Sequence, residues 1–216
     1  FPEYQLDLPD VIARAKAAKV EAIVNIALDE AAIHASLKLA EAYPGYIYTA
    51  LGLHPHDAKE WQMGTYEKFK DFAKNKSVVA IGEMGLDYHY TLSPVETQKE
   101  VFRQQLRLAQ ELNLPAIIHS REATKDTLVI IHEENQGKLK GVLHCFSGDP
   151  ELAKKALDIG LMISFTGNIT FPKAEIIRQA AKDIPLENIM IETDCPFMAP
   201  QGKRGQRNEP AYVISV

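Results

Sequence analysis

At 216 residues, with 46% apolar and 25% charged positions, the chain can bury one sizeable core and is too balanced in composition to be disordered or fibrous. Its net charge of −5 excludes a generally basic nucleic-acid coat, while leaving open a nucleic acid whose phosphates are met locally. No apolar run approaches the ~18 residues of a membrane span and no signal-peptide pattern opens the chain, so no membrane association is expected. The two cysteines, Cys145 and Cys195, lie far apart and fit a reducing, cytoplasmic setting better than a disulfide scaffold.

Taken in order, the sequence predicts a helix over 7–18 with Asp7 as its cap, a strand over 22–28 and a helix over 29–42 stopped by Pro44-Gly45. A strand over 47–53 runs into Gly52-Leu53-His54-Pro55-His56, and a helix over 65–74 leads to a strand over 78–84. Ser93-Pro94-Val95-Glu96 reads as cap, first-turn proline and acidic third position for a helix over 93–112. Strands follow at 115–119, 140–146, 161–166 and 188–193, with helices at 121–135, 149–158 and 173–181, and another helix begins at Glu209.

About seven nearly all-apolar strands alternating with helices point to parallel βαβ units covered on both faces. Nothing in the composition divides the chain, so residues 1–216 are expected to form a single domain. A doubly wound sheet would carry a glycine-rich phosphate loop after its first strand, and none is present. Polar residues gather instead at the C-terminal ends of many strands, where a TIM-like (β/α)8 barrel builds its active site.

Four of those strand ends carry metal-type side chains: Glu83, His119, His144 and Asp194. Strict alternation puts Glu83 on the apolar face of Val79 and Ile81, where a carboxylate is costly unless a lysine, an arginine or a metal ion meets it. Two imidazoles and two carboxylates converging above a barrel axis suit zinc, manganese or another divalent ion of intermediate hardness.

The segments Gly52-Leu53-His54-Pro55-His56, Gly82-Glu83-Met84-Gly85-Leu86-Asp87-Tyr88, Ile118-His119-Ser120-Arg121, His144-Cys145-Phe146-Ser147-Gly148, Thr193-Asp194-Cys195-Pro196 and Arg207-Asn208-Glu209-Pro210 occur in one order along the chain. Together they resemble the TatD-type metal-dependent deoxyribonucleases, within the wider metal-dependent hydrolase barrels. The resemblance implies a (β/α)8 barrel that hydrolyses phosphodiesters of DNA, including 3'-5' exonuclease action, with one or two divalent ions (Mg, Mn or Zn). It implies Glu83, His119, His144 and Asp194 as ligands, Glu83 shared between two ions, and Asp194 orienting or deprotonating the attacking water. The family also opens on a strand ending in His-x-His, which this sequence lacks; the barrel is expected here without its first strand and C-terminal helix.

His54 is expected to line the pocket and contact substrate, with His56 either structural or pocket-lining. Arg121, and Arg207 in the basic loop that begins at Lys203, are candidates for holding phosphate. Glu192 is expected one layer below Asp194, fixing a ligand. Alternation turns Cys145 and Cys195 away from the ligands as packing residues, and Asp87 is expected to serve a turn. Tyr88, Phe146 and Phe197 are candidate stacking residues for single strands. A monomer acting on a nucleic acid is expected. The alternatives are a barrel amidohydrolase on a small molecule, an ester hydrolase on an aminoacylated nucleic acid, and a barrel without activity. The basic loop favours phosphate, and a pocket too narrow for a nucleotide would favour a small molecule.

Overall fold

The computed structural model describes residues 2–135, 137 and 139–216. Its strands are β1 (Ile23–Ala27), β2 (Ile47–Leu51), β3 (Val78–Asp87), β4 (Ala116–Arg121), β5 (Gly141–Leu143), β6 (Leu161–Phe165) and β7 (Ile189–Ile191). The helices between and before them are α1 (Leu8–Ala17), α2 (Glu30–Ala42), α3 (Thr65–Phe72), α4 (Val95–Leu112), α5 (Thr124–Glu134), α6 (Pro150–Asp158) and α7 (Glu175–Asp183). Two compact units emerge: Val24–Leu143 with Ile159–Leu161, and Phe1–Ile23, His144–Asp158 and Met162–Val216.

In the first unit β2, β3, β4 and β5 pair in parallel, each with the next. Their core residues Leu51, Ile81, Met84, Leu86 and Ile118 are fully buried. β3 runs to Asp87, past the expected end at Met84, and its pairing with β4 slips by one residue between Ile81 and Met84. That irregularity falls at Gly82-Glu83 and breaks the strict alternation predicted for this strand. Gly82 and Gly85, which flank Glu83, both lie at positive φ, +146° and +140°. A Cβ on Gly85 would come within 2.0 Å of the His119 carbonyl oxygen, so the two strands that carry Glu83 and His119 approach closely because this position has no side chain.

Helix α4 fixes the ends of two strands. Its buried stripe, Gln98, Val101, Phe102, Gln105, Leu106 and Ala109, follows helical spacing and packs on β3. Two members of that stripe are polar and completely enclosed. Gln98 accepts from the Asp87 amide at 2.8 Å and donates to the Asp87 carbonyl at 3.1 Å, while Gln105 accepts from the Leu53 amide at 2.8 Å and donates to its carbonyl at 3.0 Å. Each glutamine thus stands in for a missing strand neighbour, pinning the backbone beside His54 and after Glu83. The expected cap at Ser93 is replaced by Pro94 as the N-cap residue; the Ser93 hydroxyl instead donates to the His56 carbonyl at 2.6 Å and accepts from Lys59 N.

In the second unit β6 and β7 pair in parallel, with Ile163, Ser164 and Phe165 facing Ile189, Met190 and Ile191. Helix α6 packs on α7, and α1 packs on a 3-10 segment, Pro210–Ser215, where a continuing α-helix had been expected. Asp7 makes no side-chain cap for α1; its carboxylate takes a two-pronged grip from Arg207 at 2.8 and 2.6 Å. Arg14 on α1 grips Glu209 in the same manner, and the Tyr4 hydroxyl donates to the Asn208 carbonyl at 2.6 Å. The Arg207-Asn208-Glu209 segment is therefore bound at every residue.

Candidate metal centres

The first unit brings together His54, after β2, Glu83 in β3 and His119 in β4, with one ligand atom from each lying within 4.8 Å of the others. His119 Nδ1 sits 2.9 Å from Glu83 Oε1, and its Nε2 sits 3.1 Å from Asp87 Oδ2. Asp87 is 1% exposed, and its other oxygen accepts from the amides of His89 and Tyr90. Burial alone would push the Asp87 carboxyl up, but the Tyr90 amide, His119 and His56 together hold it below the usual carboxylate range. An ionised Asp87 can only accept, so His119 carries a proton on Nε2 and presents Nδ1 toward Glu83. Nδ1 of the neutral ring and Glu83 Oε1, 2.9 Å apart, would offer two neighbouring ligand atoms to a divalent ion. This is the arrangement of a histidine ligand oriented by a carboxylate behind it, and it fits a divalent ion.

His54 is placed differently from His119. Its Nδ1 accepts from the His56 amide at 3.2 Å, so the neutral ring holds its proton on Nε2, 3.6 Å from Glu83 Oε1. Burial pushes the His54 imidazole down to about 4, which keeps the ring neutral at pH 7. His54 thus presents an N–H toward the group rather than a lone pair. His56 donates from Nε2 to Asp87 at 3.0 Å, so Asp87 holds two imidazoles as well as a turn. The reading of Asp87 as a turn residue covers only one of its two oxygens; no spacing in the sequence marks the other.

The second unit brings together His144, Cys145 and Asp194, again within 4.8 Å. His144 Nδ1 lies 3.0 Å from Glu192, which also accepts from the Cys145 amide at 2.6 Å. Burial opposes ionisation of Glu192, but His144 and the Cys145 amide outweigh it and keep the carboxyl below its ordinary range. His144 accordingly donates from Nδ1, and Nε2 of the neutral ring would be the atom offered to an ion. β5 ends at Leu143, and Cys145 has φ +48°, so the alternation expected through 140–146 stops before Cys145 and its sulfur joins the group. Burial pushes the Cys145 thiol up to about 11. Asp194 also lies in the left-handed region, at φ +54°. Backbone of this kind costs about 1–3 kcal/mol per residue and is retained where it aims a functional side chain.

The other expected site residues fall as follows. The Arg207 guanidinium is taken by Asp7 and stacks on Tyr4, rather than standing ready for phosphate. Arg121 is exposed and lies over the Tyr90 ring at 4.7 Å. Phe146 is 2% exposed against Phe165, which removes it as a stacking platform; Tyr88 donates to Asp126 at 2.8 Å, and Phe197 is exposed. Among the described residues, no helix is long and apolar enough to cross a membrane.

Parallel strands alternating with helices, with imidazole–carboxylate groups at the strands' C-terminal ends, define a metal-site protein of the α/β barrel class. The family model for TatD related DNase matches residues 1–216, and the chain belongs to that family. It is 46% identical over 211 residues to the metal-dependent hydrolase YabD of Bacillus subtilis, covering 98% of this chain and 82% of the relative. It is 33% identical to the 3'-5' ssDNA/RNA exonuclease TatD of Pectobacterium atrosepticum, covering 98% of this chain and 83% of that one. Among solved structures it resembles YjjV, a TatD homologue of Escherichia coli K12, with a TM-score of 0.92 and 31% identity over 100% of this chain and 83% of the other. The fold is accordingly of the TIM-barrel class, with seven parallel strands and flanking helices.

Proposed function

We propose that the protein is a metal-dependent phosphodiesterase that removes nucleotides from single-stranded nucleic acid, DNA first among its substrates, by attack of water on phosphorus. What supports the reading above all is the pair of imidazoles His119 and His144, each backed on one ring nitrogen by a carboxylate and each grouped with a further acidic residue, Glu83 or Asp194. The family match and the exonuclease named among the relatives support the substrate class.

In this reading Glu83 and His119 hold one divalent ion, and His144 and Asp194 hold another, with magnesium, manganese and zinc as the candidates. A bound ion supplies Lewis acidity and a water acidic enough to ionise near neutral pH. The protein's own groups do the rest. Asp194 accepts the proton of the attacking water, and Asp87 and Glu192 keep the two imidazoles in their ligating tautomers. His54, neutral and with its N–H aimed into the first group, donates to an oxygen of the substrate. Arg121 offers its guanidinium to phosphate. The protein acts in the cytoplasm as a monomer.

The test is hydrolysis of a 3'-labelled single-stranded oligonucleotide with each metal supplied in turn to metal-stripped protein. Glu83→Gln and Asp194→Asn should each lower kcat/KM by at least roughly 10³-fold. Full activity in either variant would overturn the assignment, and turnover of a lactone or cyclic amide in place of the oligonucleotide would transfer the site to small-molecule chemistry.

A further inference from the structure

Most arginines of this chain are engaged by hydrogen-bond acceptors. Arg14 is held by Glu209, Arg103 and Arg107 by Glu134, Arg178 by Glu175 and the Phe171 carbonyl, and Arg207 by Asp7. Arg121 differs. Its guanidinium lies over the Tyr90 ring at 4.7 Å, and among the described residues no side-chain or backbone oxygen accepts from it. A guanidinium over an aromatic face is held there by cation–π attraction while its N–H donors stay available.

The platform beneath it is fixed from the metal group outward. Tyr90 follows the end of β3, and its amide donates to Asp87 Oδ1 at 3.0 Å. The other oxygen of the same carboxylate takes His119 and His56. A run of edge-to-face rings leads outward from His119 through His54 and His56 to Tyr90, with centroids 4.8, 4.3 and 5.5 Å apart. The one carboxylate next to Arg121 in sequence, Glu122, is turned to His89 at 2.7 Å. Tyr90 is itself 52% exposed, so its ring is accessible from solvent.

We infer that Tyr90 and Arg121 form a subsite for a phosphate of the single strand other than the one being cleaved. Arg121 makes the contact, and Tyr90 is a positioning residue that holds the guanidinium over its ring. This deepens the nuclease reading and rests on it. The subsite confers a requirement for a charged backbone beside the reacting bond, and so a preference for nucleic acid over small esters.

The test is steady-state cleavage of oligothymidylate, unmodified or bearing one neutral methylphosphonate linkage moved stepwise along the strand. A lost charge-assisted contact predicts that Arg121→Ala raises KM roughly 10- to 100-fold, with kcat moved much less. Tyr90→Ala should raise KM in the same direction by a smaller factor, and Tyr90→Phe, which keeps the ring, should restore it. In the wild type one linkage position should be sensitive to neutralisation, and Arg121→Ala should erase that sensitivity. A KM within twofold of wild type in both alanine variants, or a sensitive linkage that survives Arg121→Ala, would overturn the subsite. If the wild type cleaves no oligonucleotide with any metal, the nuclease reading fails separately. Fluorescence anisotropy with the same labelled strands then decides the subsite: Arg121-dependent binding keeps it, and binding indifferent to Arg121 removes it.

Discussion

Asp87 Oδ2 and His119 Nε2 lie 3.1 Å apart in an environment where the carboxylate is 1% exposed, and the same oxygen accepts from His56 Nε2 at 3.0 Å. With Oδ1 occupied by the His89 and Tyr90 amides, this carboxylate has four donors divided between its two oxygens. It sets the tautomer of one proposed ligand and the shape of the loop beside it.

Replacing Asp87 by Asn should therefore weaken the proposed metal site without removing a proposed ligand. An asparagine has one acceptor oxygen, so either the turn amides or the two imidazoles lose their partner. Loss of a carboxylate behind a ligating histidine lowers metal affinity by roughly 10- to 100-fold. Competition against a chromogenic chelator measures this directly. An affinity unchanged in Asp87→Asn would mean that His119 needs no such support.

Glu192 stands in the same relation to His144, and it receives the Cys145 amide at 2.6 Å as well. Glu192→Gln retains one acceptor oxygen for two competing donors, so His144 loses the carboxylate that orients it. The expected outcome is again a fall of about 10- to 100-fold in affinity for one ion, read as a drop in bound metal per chain after dialysis against limiting metal. Retention of the wild-type stoichiometry would count against the role given to Glu192.

Much of this was legible in the sequence because strand ends are local. Apolar runs closed by Glu83, His119, His144 and Asp194 announce both the elements and the chemistry, since each pattern lies within a few residues. What was hidden depends on partners far apart or on single torsions. Gln98 and Gln105 look like ordinary surface residues of α4, yet they serve backbone groups at Asp87 and Leu53. Their presence on the apolar stripe with Phe102 was the available signal. Arg207 reads as a phosphate ligand only while Asp7, two hundred residues away along the chain, is ignored. Cys145 escapes alternation because its φ is +48°, which no residue pattern encodes.

The buried glutamines make a stability prediction. Gln105→Leu fits the apolar stripe but leaves the Leu53 amide and carbonyl without partners in a buried setting. At roughly 1–3 kcal/mol for each of the two unsatisfied groups, the loss should be about 2–6 kcal/mol, seen as a lower urea midpoint with little change in slope. A leucine variant as stable as the wild type would show that water replaces the side chain at Leu53.

The Asp7–Arg207 pair predicts an acid dependence with a definite sign. Hydrogen bonding from Arg207, with help from Arg14, outweighs burial and lowers the Asp7 carboxyl from 3.8 to about 2. A carboxylate with a lower pKa folded than unfolded stabilises the fold above its unfolded value, and that contribution disappears as pH falls through the folded value. The Asp7 contribution should thus be intact above about pH 4 and lost toward pH 2. Urea unfolding of wild type and Asp7→Asn at stepped pH tests this. The variant should be the less stable near neutrality, and the difference should narrow through the acid window as wild-type Asp7 takes up its proton. Parallel curves across that window would show that Arg207 holds the N-terminal segment without help from the charge on Asp7.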